Sequence, residues 1–134
     1  MKKILCFLLA ISCIFLVSCK NNTSESTEGE NVMYQQITAN DAKKIMDSNT
    51  DIVILDVREQ NEYDEGHIPG AILIPYTEIE NKAESMIPDK NKEILVYCRS
   101  GRRSKIAAES LVKLGYTNVK EFGGIIDWPY QIEK

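Results

Sequence analysis

Tyr97-Cys98-Arg99-Ser100-Gly101-Arg102-Arg103-Ser104 lies between two patterned stretches of the chain. Before it runs the apolar Glu93-Ile94-Leu95-Val96-Tyr97, and after it Ser104-Lys105-Ile106-Ala107-Ala108-Glu109-Ser110-Leu111. The first reads as a buried strand and the second as an amphipathic helix. Cys98 therefore falls where a strand ends and a tight loop feeds a helix N-terminus. Gly101 lets that loop bend, or brings its backbone close to a ligand. In such a turn several backbone N–H groups converge on one small concavity and hold an anion, aided by the helix dipole. Arg99, Arg102, Arg103 and Lys105 add four positive charges within seven positions. Helix N-termini and nearby cations favour a thiolate. Cys98 therefore reads as a nucleophile, against the plainer reading of a packing cysteine at a strand end.

Outward from this loop, strand and helix patterns alternate. Tyr34 to Ile37 reads as a short strand, and Thr38-Ala39-Asn40-Asp41 as a helix start with Thr38 as N-cap. That helix is expected to run to about Ser48. Asp51 to Val57 is a β-branched run of the kind buried on both faces of a sheet. Gln60 to Glu65 predicts a helical turn, Gly66-His67-Ile68-Pro69-Gly70 a loop, and Ala71 to Ile74 another strand. Thr77 to Met86 predicts a helix. After the Cys98 loop, Ala107, Leu111 and Leu114 share one helix face, and Gly115 suits the position just past its end. Val119 to Phe122 predicts a last strand broken by Gly123-Gly124, followed by a short helical segment from Ile125 to Tyr130. The alternation implies an α/β fold, a mostly parallel sheet with helices on both faces. Ligands of such sheets bind beyond the carboxyl ends of the strands, where Asp56 and Cys98 both fall.

The first 31 residues read differently. Met1-Lys2-Lys3 is basic, Ile4 to Val17 is almost wholly apolar, and small residues follow. This is the pattern of a secretory signal, shorter than the roughly 20 residues of a spanning helix. Leu16-Val17-Ser18-Cys19 resembles the lipobox of bacterial lipoproteins. The resemblance implies cleavage before Cys19, lipid on its sulfur, and a membrane-anchored location outside the cytoplasm, in the periplasm or at the cell surface. Lys20 to Asn31 holds no aliphatic or aromatic residue and is expected to be a disordered tether. The organisation expected is thus a signal peptide over 1–18, a lipidated cysteine and tether over 19–31, and one folded domain over 32–134. Cys98 is then the only free thiol of the mature chain, so an internal dithiol cycle is excluded. Loss of Lys2 and Lys3, with no acidic residue, takes the formal charge from −4 to −6. An acidic domain with one basic loop is a poor nucleic-acid binder but suits a small anion steered to one place. A metal site is not expected, because His67 is the single histidine.

The signature residues resemble a known family. Asp56-Val57-Arg58-Glu59, Glu62-Tyr63 and Gly66-His67-Ile68-Pro69-Gly70-Ala71 resemble the paired signatures of rhodanese-like domains. Cys98-Arg99-Ser100-Gly101-Arg102-Arg103-Ser104 resembles their active-site loop, and Gly123-Gly124-Ile125 with Trp128 their C-terminal signature. The resemblance implies a single α/β domain with about five parallel strands. It implies sulfurtransferase chemistry without a cofactor: Cys98 takes sulfane sulfur from a small anionic donor such as thiosulfate, carries it as a persulfide, and passes it to a thiol or cyanide-like acceptor. The loop residues Arg99, Ser100, Gly101, Arg102 and Arg103 would bind the donor through amides and guanidinium groups. Asp56, Arg58 and His67 would support the site through an ion pair and loop-bracing contacts, and a monomer is expected.

Two rival readings come from other classes. Thiolate-dependent phosphatases and arsenate reductases of related fold place an arginine after five intervening residues, and here that position is Ser104. A non-catalytic binding or thiol-sensing module is the other rival, although such modules often lack the cysteine that is present here.

Overall fold

The structure is a computed structural model that describes residues 33–134; the expected leader, lipidation site Cys19 and tether lie outside the described residues. Its centre is a five-stranded, all-parallel sheet with strand order β1-β5-β4-β2-β3. The strands are β1 (Gln35–Gln36), β2 (Ile52–Asp56), β3 (Ile72–Leu73), β4 (Glu93–Cys98) and β5 (Val119–Gly124). The helices are α1 (Ala39–Ser48), α2 (Gln60–Glu65), α3 (Ile79–Met86) and α4 (Arg102–Lys113). Single 3-10 turns precede α3 (Tyr76–Glu78) and follow β5 (Ile125–Asp127). The expected α/β class, with a parallel sheet covered on both faces, is present.

The two-residue period of β4 divides the core. Ile94, Val96 and Cys98 join Leu55, Val57 and Ile74 under α3 and α4, where Ile79, Ala83, Ala107, Ala108 and Leu111 cover them. Leu95 and Tyr97 point to the other face, among Ala42 of α1, Ile68, Phe122 and Trp128. A strand buried on both faces has no polar stripe, which is why this segment reads as a continuous apolar run.

Local chemistry sets the helix ends. Thr38 caps α1: its hydroxyl oxygen accepts the Asp41 amide at 3.1 Å. Past α4, Gly115 takes a left-handed φ of +94°. There the Gly115 amide donates to Val112 O at 2.9 Å and the Tyr116 amide to Leu111 O at 3.1 Å, a closing pair that a Cβ would strain.

Several ends shift from the sequence reading by a few residues, and two of the differences bear on the site. Helix α4 starts at Arg102, not Ser104, because Gly101 at φ +106° turns the chain directly into it. Strand β5 is not broken by Gly123-Gly124 but ends on them, with Gly124 paired to Cys98 beyond a register irregularity.

Candidate active site

Cys98 ends β4 and its side chain is 1% exposed, at the floor of the loop that leads into α4. The Gly101 amide donates to Sγ at 3.0 Å. Burial alone would favour the neutral thiol. Hydrogen bonds from the Ser104 side chain and from the Ser104, Gly101 and Ser100 amides outweigh it and hold the thiol below its ordinary value. The loop is thus the amide-lined pocket for an anionic sulfur expected from its position at a helix N-terminus.

The glycines of β5 fix the loop from below. A Cβ on Gly124 would lie 1.9 Å from Arg99 O and 2.5 Å from the Ser100 amide nitrogen. Only a residue without a side chain lets the loop backbone settle onto β5 this closely. The Ile126 amide then donates to Arg99 O at 3.2 Å.

The three loop arginines are not equivalent. Arg99 and Arg102 are exposed. Arg103 is engaged: its guanidinium donates to both carboxylate oxygens of Glu62 on α2, at 2.7 and 2.8 Å. Arg103 in turn holds the Glu62 carboxyl down to about 2.

Ser104, at the position where the phosphatase pattern requires arginine, is fully buried and its Oγ lies 3.5 Å from Cys98 Sγ. The same Oγ is 2.6 Å from Oε1 of Glu121, a β5 carboxylate that is only 3% exposed.

Asp56, Arg58 and His67 lie on the other side of the sheet. Asp56 pairs in register with Tyr97, next to Cys98, but faces away from the sulfur. Its carboxylate accepts from Arg58 Nε at 2.9 Å, Arg58 Nη2 at 2.7 Å and the Tyr97 hydroxyl at 2.7 Å. Arg58 Nη2 also donates to Gly66 O, and the Tyr97 hydroxyl accepts the Ile68 amide at 3.1 Å. Burial and the Asp56 carboxylate together keep the Tyr97 hydroxyl protonated. His67 stacks on Tyr63 with ring centroids 3.8 Å apart, and its Nδ1 lies 3.0 Å from Tyr63 O. Asp56, Arg58 and Tyr97 touch one another and the segment from Gly66 to Ile68, while the His67 ring meets Tyr63 and Glu133; among their hydrogen bonds none reaches Cys98. Topology brought Asp56 and Cys98 to adjacent strand ends, and the strand pleat put them on opposite faces.

Four residues at or beside the site carried no assigned role in the sequence reading: Glu62, Tyr97, Ser104 and Glu121. Glu121 had one usable signal. It is an acidic residue two positions after Val119 on the expected last strand, so alternation puts it on the same face as that apolar side chain.

Comparison with known proteins agrees with this geometry. The family model of the rhodanese-like domain matches residues 38–129. The chain is 42% identical over 73 residues to the thiosulfate sulfurtransferase PspE of Escherichia coli, covering 54% of this chain and 70% of that protein. It is 41% identical over 92 residues to the putative sulfur carrier protein YrkF of Bacillus subtilis, covering 68% of this chain. The match spans about half of YrkF, 49% of its length. Among solved structures, a rhodanese-related protein from Thermoplasma volcanium is similar with a TM-score of 0.65 and 33% identity, over 75% of this chain and 98% of that one. A fully parallel five-stranded sheet, a cysteine at the end of its central strand and a family match over most of the described residues lead to one conclusion: the chain belongs to the rhodanese-like domain family.

Proposed function

We propose that this protein is a sulfurtransferase that moves sulfane sulfur from an anionic donor such as thiosulfate to a thiophilic acceptor through a persulfide on Cys98. The observation that carries the reading is the Cys98 sulfur held 3.0 Å from the Gly101 amide at the start of α4, with its thiol below the ordinary value. Ionised, this sulfur attacks the outer sulfur of thiosulfate. The donor's S–S bond breaks, sulfite leaves with the bonding pair, and a persulfide remains. An acceptor nucleophile then takes the terminal sulfur and regenerates the Cys98 thiolate. Splitting the transfer into two displacements implies ping-pong kinetics, and the chemistry calls for no cofactor.

Arg99 and Arg102 are the side chains that meet the donor, because both are exposed beside the loop while Arg103 is bound to Glu62. Guanidinium groups match sulfonate oxygens in geometry and charge. The Asp56–Arg58 pair, Tyr97 and His67 brace the neighbouring segment from the far face. In the cell the domain would work outside the cytoplasm, held to a membrane by lipid on Cys19. The supporting feature is the lipobox-like Leu16-Val17-Ser18-Cys19.

Intact mass after exposure to thiosulfate tests the reaction. One added sulfur, located on the peptide that holds Cys98 and missing in Cys98→Ser, is expected. A folded protein that gains no sulfur from thiosulfate or other sulfane donors, and forms no thiocyanate with cyanide, would instead be a binding or sensing module.

A further inference from the structure

Glu121 is a buried carboxylate that the transfer chemistry above leaves unused. It is 3% exposed on β5, and its Oε1 accepts from the Ser104 hydroxyl at 2.6 Å and from the Gly123 amide at 2.8 Å. A buried acidic side chain is costly and rare without such partners.

Ser104 has a single hydroxyl hydrogen to donate. Its possible acceptors are Glu121 Oε1 at 2.6 Å, Gly101 O at 2.9 Å, Gly123 O at 3.4 Å and the Cys98 sulfur at 3.5 Å. The shortest of these contacts, to a carboxylate, has the length of a charge-assisted bond. With Cys98 as a thiol, the order is therefore S–H to Ser104 Oγ, and Ser104 O–H to Glu121. An anionic Cys98 has no hydrogen to give and accepts from the Gly101 amide and from the Ser104 hydroxyl. When Ser104 turns its hydrogen to the sulfur, Glu121 Oε1 loses that donor, and a proton on the carboxyl group restores the Glu121–Ser104 bond in the opposite sense.

We propose that Glu121 takes up the Cys98 proton through Ser104, so that Cys98, Ser104 and Glu121 form a proton relay that ionises the sulfur. The proposal rests on Cys98 being the reacting atom of the sulfurtransferase described above. The S–H bond breaks as a new Oγ–H bond forms, and the former Oγ–H hydrogen passes to Glu121 Oε1. Thiol and carboxylate become thiolate and carboxylic acid. No electrons are exchanged and the net charge is unchanged.

That last point makes the exchange feasible in a buried site. Burial disfavours ionising a lone thiol, but here one buried negative charge stands on each side of the equilibrium, so the burial terms largely offset. The charge moves towards the Gly101 amide and the N-terminus of α4, which favour it. Other groups around the relay are the Arg103 guanidinium from α4, paired with Glu62 of α2, and Tyr34 just before β1, whose hydroxyl burial and the nearby Glu109 and Glu121 push up. On this face β4 contributes only the apolar Ile94 and Val96 beside Cys98. Ser104 touches the sulfur; Glu121 acts through it as a positioning residue.

The test is the pH profile of Cys98 alkylation by iodoacetamide in the full chain, followed on the tryptic peptide that holds Cys98. In the wild type, reactivity is expected to level off on the acid side, because there the shared proton moves within the pair rather than to solvent. In Glu121→Gln the amide oxygen still accepts from Ser104 and Gly123 but cannot hold the proton. The level should vanish, and the rate should fall about tenfold per pH unit. Ser104→Ala should lose the level as well, and Ser104→Thr should keep it. A Glu121→Gln profile that overlays the wild type overturns the relay. So does a wild-type profile with one uninterrupted slope, which decides the matter even if the variants fail to fold. Sulfur uptake from thiosulfate is scored separately by mass. Its absence beside an intact acid level overturns the sulfurtransferase reading and not the relay.

Discussion

Both carboxylate oxygens of Glu62 grip the guanidinium of Arg103, tying α2 to the first turn of α4 and thereby to the Cys98 loop. The pair is mostly buried, with side-chain exposures of 21% for Glu62 and 18% for Arg103. Arg103 lowers the Glu62 carboxyl from 4.5 to about 2.

This pair gives the domain an acid-sensitive component of stability. A carboxyl lowered in the folded state stabilises fully above its unfolded value of 4.5, and the contribution is lost as pH falls towards about 2. Partial solvent screening brings the effect to about 1–2 kcal/mol. Glu62→Gln should lose that amount at neutral pH and show a flatter acid arm. Urea denaturation in a pH series measures both, and an acid arm identical to wild type would sink the assignment.

Tyr97 and Cys98 are neighbours in sequence with separate tasks. Tyr97→Phe removes a hydroxyl that bonds the buried Asp56 carboxylate and the Ile68 amide. Asp56 keeps its Arg58 donors but loses one bond, and the Ile68 amide is left unpartnered, which together should cost about 2 kcal/mol. The iodoacetamide reactivity of Cys98 should stay close to wild type, because the two side chains occupy opposite faces of the sheet. A large drop in reactivity without a loss of stability would contradict this division.

Two glycine substitutions should separate space from backbone strain. In Gly124→Ala the new methyl collides with backbone, 1.9 Å from Arg99 O, which no side-chain rotation relieves. The loop must move, and a loss of about 3 kcal/mol or more is expected, together with Cys98 reactivity. Gly70→Ala meets nothing within 4 Å and suffers only from its φ of +79°. Its cost should be about 1 kcal/mol with the site intact. Thermal melts and alkylation rates of the two variants provide the comparison.

Arg99 and Arg102 should govern donor capture rather than the chemistry. Single changes to alanine should raise the donor's KM several-fold, and the double variant about tenfold, with kcat less affected. Added salt should weaken donor binding in the wild type and do so less in the double variant. Steady-state kinetics with thiosulfate supply the measurement; an unchanged KM in the double variant would assign the donor contact elsewhere.

Cys98 itself should titrate below the roughly 8.5 of an ordinary thiol, since the Ser104 hydroxyl and the loop amides outweigh its burial. Thiolate absorbance against pH, with Cys98→Ser as the blank, reads the midpoint. A midpoint above the ordinary value would remove the basis for a nucleophilic role.

The periodic part of this fold was legible in the chain. The apolar run of β4, the Thr38 cap and Gly115 past α4 each depend on a few adjacent residues, and each behaves as read. The two glycines of β5 were misread as a break because glycine composition alone points to a turn. Their use here depends on Arg99 O lying across the strand end, a contact no local pattern contains. The site divides in the same way. Cys98 and its arginines form one contiguous stretch, legible as a candidate site without the fold. Glu62 lies 41 positions from Arg103 and Glu121 17 from Ser104, and hydrogen bonds that only the folded chain brings together join them.

The sheet also ends on both sides in strands of only two residues, β1 and β3. An exposed strand edge is a template on which a second chain can zip up into an aggregate. Here the long strands β2, β4 and β5 all lie inside the strand order, and each border strand itself offers only two residues as a template. Crowded copies of the domain should therefore resist fibrillar association without needing a protective partner.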